Sequence, residues 1–352
     1  VMGDDANCAF NLSHCLHLSG DINSEALQKA IHEVVDRFDA LRATISEDGQ
    51  HMIIARQLAL EVPQVDLSDE ARAVAESRLD ELEREEIETP FDLVRGPLFR
   101  AKVIKLSEGK QAVMFTAHHI VFDGWSRQVM LKELGEAYSA FSQGVSRQIS
   151  APALFSEYAE RQSAAKDGEE FAQSKAYWLD QLSGRLPVLD LPLDRPRPPQ
   201  RTYESSREKI DLDPDSARSL RRIAAKRRST VYALLLSAYQ AYLFRLTGQS
   251  DLVVGIASAG QPAAGDFNLV GHCANVLPIR SKIDCGMSFD DFVAATRGLV
   301  FDAFEHQSCS FGSLLNDLDM PRDASRAPLL SATFNFDSST SDFSFHGLEA
   351  DV

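Results

Sequence analysis

Ala117-His118-His119-Ile120-Val121-Phe122-Asp123-Gly124-Trp125-Ser126 lies between two stretches of different periodicity. Upstream, residues 111–117 (QAVMFTA) are a short apolar run of strand type. Downstream, Val129, Met130, Leu134, Ala137, Tyr138 and Phe141 recur at helical intervals over 126–142. The decapeptide is therefore a strand-to-helix connection, a place where a rigid scaffold often holds chemical groups. Adjacent side chains on an extended backbone point to opposite sides, so at most one of His118 and His119 can face a shared cleft. The other is a packing or hydrogen-bonding residue. Asp123 follows His119 by four positions and precedes Gly124, which permits a sharp turn into the helix. Metal binding is not expected: the spacing is not the helical i, i+4 pair, and no third ligand accompanies it. No GxSxG, HExxH, GxxxxGKS/T or GxGxxG occurs.

Outward from this connection, strands and helices alternate. Residues 11–20 alternate as a strand, and Asn23 or Ser24 caps a helix whose Leu27, Ile31, Val34, Val35, Phe38 and Leu41 form one apolar face. Asp48-Gly49 signals a hairpin between 43–45 and 51–54. The charged stretch 68–88 reads as an exposed helix, and 101–106 as a strand. Residues 153–182 read as helical, anchored by Phe155, Tyr158, Phe171, Tyr177, Trp178 and Leu182.

Five of the fourteen prolines then fall between Pro187 and Pro199, in a run that propagates neither helix nor central strand. Beyond it the alternation restarts, with strands at 207–212, 251–256, 276–280 and 330–336 and helices at 215–228, 230–246 and 288–305. Two α/β lobes of similar construction are expected: 1–184, a proline-rich linker at 185–200, and 201–352.

Composition narrows the function classes. Of 352 residues, 44% are apolar and 25% charged, which is the balance of an ordinary globular protein. With 36 basic and 52 acidic side chains the formal charge is −16, unfavourable for nucleic acid or anionic lipid. No apolar run approaches a bilayer span. The five cysteines (Cys8, Cys15, Cys273, Cys285, Cys309) have no CxxC spacing and no signal peptide is apparent, so a reducing, cytoplasmic location is expected. The start at Val1, without an initiator methionine, reads as a cut from a longer chain. The basic run Arg221-Arg222 with Lys226-Arg227-Arg228 is either a solvated helix face or a docking face for an anionic partner.

His118 to Gly124 (HHIVFDG) resembles the HHxxxDG signature of condensation domains of nonribosomal peptide synthetases, in the chloramphenicol acetyltransferase-like superfamily. Further elements accompany it in the order that family has. They are Arg37 to Ile45, Pro90-Phe91-Asp92-Leu93 with Gly96-Pro97-Leu98, Phe155 to Ala159, Tyr177-Trp178, Thr247 to Gly255, Val270 to Asn275, Glu305 to Phe311 and Arg322 to Leu329. The family's first element is missing, and the chain stops before the end of a full domain, so it resembles an excerpt of a multimodular enzyme.

The resemblance implies a V-shaped pseudo-dimer of two lobes with the active site in the cleft between them. It implies amide formation between a donor acyl thioester and the amine of an acceptor aminoacyl thioester. Both would be tethered to 4'-phosphopantetheine on upstream and downstream carrier proteins, with an adenylation domain in the same polypeptide and no cofactor held by the domain itself. His119 is implied as the cleft histidine, with His118, Asp123 and Gly124 completing the catalytic group. Arg42 is expected to support it through an ion pair with Asp123. Trp125, Ser126 and Asn275 are expected along the substrate tunnel, with packing or turn-capping as the alternatives for Trp125 and Asn275. Asp123-Gly124-Trp125-Ser126 favours an L-configured or acyl donor, and the Val270 to Asn275 segment is similar to condensation domains that follow polyketide modules. An epimerisation domain of the same superfamily and a non-catalytic carrier-docking domain are the alternatives.

Overall fold

The computed structural model describes residues 3–147, 150–320, 323–337 and 343–352. The chain runs α1 (Asp4–Cys8), β1 (Asn11–Gly20), α2 (Ser24–Arg37), β2 (Ala43–Ile45), β3 (Met52–Ile54), β4 (Gln64–Asp66) and α3 (Arg72–Glu88). It continues through β5 (Phe99–Ser107), β6 (Lys110–His118), α4 (Gly124–Gln143), α5 (Phe155–Ala165) and α6 (Glu169–Gln181). Then follow α7 (Pro214–Lys226), α8 (Val231–Thr247), β7 (Asp251–Ser258), α9 (Gly260–Ala264) and β8 (Asn275–Lys282). The last elements are α10 (Phe289–Glu305), α11 (Phe311–Asp317), β9 (Thr333–Phe334) and β10 (Leu348–Asp351).

These elements form two compact units, each made of non-contiguous segments. One comprises the described residues of Val1–Arg161, Gly260–Cys273 and Ser339–Val352; the other those of Gln162–Ala259 and Ala274–Ser338. This partition differs from the expected contiguous lobes. Residues 162–184 group with the later elements, and 260–273 group with the earlier ones.

The first unit is built on the sheet β10-β1-β6-β5-β4, antiparallel except where β4 runs parallel to β5. Alternation along β6 assigns its faces: Val113, Phe115 and Ala117 enter one core with α2 and α4, while Ala112 and Met114 pack under α3. A strand covered on both sides has no polar face, which explains why 112–115 reads as a continuous apolar run. Asn23 caps α2 by accepting from the Ala26 N–H at 3.0 Å, and the buried Tyr138 hydroxyl of α4 accepts from the Asn23 N–H at 3.1 Å. The 43–54 hairpin forms as expected, with Gly49 at φ +69° in its turn.

The second unit holds the sheet β8-β7-β9, with β7–β8 antiparallel and β7–β9 parallel. Its core joins Leu236 and Leu243 of α8 to Val254, Ile256, Leu277 and Ile279. Trp178 of α6 is buried in it and donates its indole N–H to the His306 carbonyl at 2.8 Å.

Three sequence expectations are corrected. The helix expected over 153–182 breaks into α5 and α6, because the chain turns at 166–168, where the Gly168 N–H bonds to the Ala165 carbonyl. The strand expected at 207–212 does not form: no strand pairs there, and Ile210 is 86% exposed. The strand expected at 330–336 shortens to β9. Among the described residues no helix is long and apolar enough to cross a membrane.

Candidate active site

β6 ends at His118, and the residues that follow it are held by hydrogen bonds and burial. The His118 N–H bonds to the Leu98 carbonyl at 3.0 Å, extending the strand's hydrogen bonding. Its ring is buried near Phe10 and the edge of Phe91, and its Nδ1 accepts from the Ile120 N–H at 3.2 Å. Burial first, then the neighbouring His119 and His272, push its pKa down to about 4. His118 is therefore a neutral brace for the connection. Val121 and Phe122, consecutive at the end of the turn, are fully buried anchors.

His119 points the other way and is half-buried. Its N–H bonds to the Phe10 carbonyl at 2.8 Å, which fixes the backbone. Its Nδ1 lies 3.1 Å from Nδ1 of His272, with the two rings nearly perpendicular and their centroids 4.8 Å apart. Among the described residues nothing is bonded to its Nε2, so this nitrogen is left available. Protein packing around the His272 ring, then His119, hold the His272 pKa below the ordinary value, with Asp123 opposing.

Asp123 is 2% exposed and is the N-cap of α4. Its Oδ1 accepts from the Ser126 N–H at 2.9 Å and lies 2.8 Å from the Ser126 hydroxyl. Its Oδ2 accepts from the Cys273 N–H at 3.0 Å. The Gln261 side-chain amide meets both oxygens, at 3.1 and 3.0 Å. The expected Arg42–Asp123 ion pair is overturned. Arg42 Nη1 donates to the Ala55 carbonyl and, at 2.9 Å, to the Arg56 carbonyl. A buried carboxylate needs donors but not a countercharge, and neutral backbone and side-chain groups supply them here.

Gln261, Gly271, His272 and Cys273 thus complete a site whose local part is the 118–126 connection. The 260–273 segment that carries them is held closely against it. A Cβ on Gly260 would lie 2.3 Å from the Cys273 carbonyl oxygen, and one on Gly271 would lie 2.1 Å from the Phe155 ring. The Gly271 N–H donates to the Ser126 hydroxyl at 2.9 Å. Burial pushes up the pKa of both the Cys273 thiol and the Tyr158 phenol, so neither is an anionic nucleophile. Among the described residues no cluster of three or more metal-ligating side chains occurs.

The condensation domain profile matches residues 2–351. The chain belongs to the condensation domain family. Members are acyl- and peptidyl-transferring enzymes. A plipastatin synthase polypeptide of Bacillus subtilis (strain 168) is 34% identical over 332 residues, 94% of this chain but 9% of that protein. A linear gramicidin synthase polypeptide of Brevibacillus parabrevis is 32% identical over 92% of this chain and 4% of its own length. The chain therefore spans only a small part of these curated relatives. The starter condensation domain of rhizomide synthetase, solved with C8-CoA, superimposes with a TM-score of 0.85 at 23% identity, covering 98% of this chain and 77% of that one. This likeness shows the shared α/β fold.

In this condensation domain the remaining expected residues take definite places. Gly124 opens α4 and is exposed, with nothing within 4 Å of where a Cβ would stand. Ser126 was expected to line a tunnel; its residue is fully buried, and its hydroxyl bridges Asp123 and the Gly271 peptide. Trp125 donates its indole N–H to the Phe267 carbonyl at 3.0 Å and so tethers the 260–273 segment. Asn275 uses its whole amide within the second unit. It donates to the Gln307 and Cys309 carbonyls at 3.1 and 3.0 Å and accepts from Val276 and Phe311 N–H groups. That is the turn-capping alternative. Arg322, the first residue of its sequence element, lies outside the described residues, as does Val1.

Proposed function

We propose that this condensation domain forms an amide bond between a donor acyl or peptidyl thioester and the amine of an acceptor aminoacyl thioester, within a nonribosomal peptide or hybrid polyketide-peptide synthetase. The observation that carries this reading is His119: braced at its backbone, paired at Nδ1 and available at Nε2. The amine nitrogen attacks the thioester carbonyl, and the C–N bond forms as the C–S bond breaks. The proton lost from nitrogen passes to His119 Nε2 and on to the departing thiolate.

An α-amino group with a pKa of roughly 7.7–8.0 is partly neutral already. His119 therefore contributes as much by orienting the amine as by removing its proton, effects on the order of 10²–10⁴-fold for the proton transfer alone. In this scheme the N–H of Gly124, an exposed residue at the positive end of α4, receives developing negative charge on the carbonyl oxygen. Asp123 and His118 are positioning residues in this scheme.

The substrates arrive on 4'-phosphopantetheine arms of an upstream donor and a downstream acceptor carrier protein, with an adenylation domain in the same polypeptide. The domain itself holds no cofactor. An intact His119 with an available Nε2 favours catalysis over a pure docking role. In a single-turnover assay with both carriers loaded, His119→Ala lowers amide formation by at least tenfold, on the order given for general-base loss, while both carriers still bind. Near-normal turnover by that variant overturns the proposal.

A further inference from the structure

We propose that His272 is a positioning residue that selects the tautomer of His119, presenting Nδ1 as a hydrogen-bond acceptor so that His119 holds its proton on Nδ1 and leaves Nε2 bare. This rests on the reading of His119 Nε2 as the proton-handling atom. Two Nδ1 atoms 3.1 Å apart are bonded only if one carries hydrogen and the other a lone pair. The tautomers of the two rings are therefore locked together in opposite senses.

Of the two arrangements, one puts an N–H on Nε2 of His119, and that nitrogen then has no lone pair with which to take a proton. The other leaves Nε2 of His119 bare and puts the N–H on Nε2 of His272, the more exposed of the two residues. The same bond survives proton uptake. When His119 gains a proton at Nε2, its Nδ1–H still points at the His272 lone pair, so the imidazolium keeps an acceptor. The titratable groups around the pair do not compete for this role. His118 is turned to Ile120, Asp123 is occupied by Ser126, Gln261 and Cys273, and Cys273 and Tyr158 stay protonated.

The ring also has to be where it is. The Gly271 N–H is tied to Ser126 and the Cys273 N–H to Asp123, so the residues on both sides of His272 are fixed by the same cap that starts α4. His272 is thereby held by the helix terminus that follows His119.

The test is nitrogen-15 NMR of the imidazoles in the whole chain at pH 8, read beside single-turnover rates. His119 is expected to show a protonated Nδ1 and a bare Nε2, and His272 the reverse. His272→Phe keeps an aromatic ring without nitrogen; His119 then loses its lock, the Nε2–H form rises, and the amide-forming rate falls about fivefold as the share with a bare Nε2 drops to about one in five. His272→Asn returns an acceptor near the Nδ1 position and restores both the tautomer and the rate to within about twofold. A wild-type His119 protonated on Nε2 overturns the assignment, as does an unchanged tautomer in His272→Phe. The wild-type spectrum decides even if a variant fails to fold. Because it is read without turnover, a failure of the tautomer assignment is separable from a failure of the catalytic proposal.

Discussion

Replacing Asp123 by asparagine and by alanine should give two graded losses of stability, and the gradation follows from which donors each change strands. In Asp123→Asn the remaining Oδ1 can keep the Ser126 N–H and hydroxyl, now at 2.9 and 2.8 Å. The new Nδ2 faces Gln261 Nε2 and the Cys273 N–H, each 3.0 Å from the present Oδ2. Gln261 can rotate its amide, because its buried Oε1 has no partner and would meet the new NH₂ group. Cys273 cannot rotate, and its N–H is left against a donor. Loss of one charge-assisted bond with one orphaned group costs about 1.5–3 kcal/mol. Asp123→Ala strands Ser126, Gln261 and Cys273 together and removes the cap of α4, costing about 3–5 kcal/mol. For 352 residues unfolding together, 1 kcal/mol lowers Tm by about 1.4 °C. The asparagine variant should then melt roughly 2–4 °C lower and the alanine variant roughly 4–7 °C lower. Calorimetry measures the shifts, and hydrogen exchange at the Cys273 amide reports whether the 260–273 segment has loosened. Equal shifts for the two variants, or full protection of the Cys273 amide in Asp123→Ala, would refute the role assigned to the carboxylate.

Two further outcomes are expected. His118, with its folded pKa near 4 against about 6.5 when unfolded, leaves the unfolded chain holding one more proton between those values. Stability therefore declines as pH falls through that window, with up to about 1.4 kcal/mol per pH unit from this site. His118→Asn, which keeps an acceptor for the Ile120 N–H but cannot titrate, should reduce that slope in urea denaturation at pH 6.5 to 4.5, leaving the share of His14, which burial also holds at about 4; an unchanged slope would count against a neutral His118. Gly260→Ala forces a methyl to within 2.3 Å of the Cys273 carbonyl and should cost about 1–3 kcal/mol, read as a lowered urea midpoint, whereas Gly298→Ala, with open space around it, should not.

The parts of the site that were legible in the sequence are the local ones. A strand period ending at His118, a helix period starting after Asp123 and a glycine between them are all encoded within one short window. The partners of that window were not legible, because Gln261 and Cys273 lie 138 and 150 residues from Asp123. Gln261 carries no charge and falls in no periodic pattern, so nothing in its surroundings marks it as the amide that spans a carboxylate. The Arg42–Asp123 pair implied by the family resemblance does not form because donor number, not countercharge, is what a buried carboxylate requires, and Ser126, Gln261 and Cys273 supply it. The strand expected at 207–212 failed for a similar reason. A strand forms only where it pairs with a neighbour, and residues 207–212 pair with none. Residues such as Trp178 and Leu182 were legible as core because large apolar side chains at helical spacing have few other places to go.

The sheet of the first unit is completed by β10, whose Leu348–Asp351 pair with His17 to Gly20 of β1. In synthesis β1 emerges well before its outer neighbour, which follows some 330 residues later, an interval of roughly 15–65 s at ordinary ribosome speeds. Throughout that interval the last turn of β1 offers unpaired peptide groups to any passing strand. The edge shows the features that suit such a wait: it is short, it ends at Gly20, and its alternate residues His17 and Ser19 are polar. Vectorial synthesis thus sets a requirement on these four residues that the finished fold no longer displays.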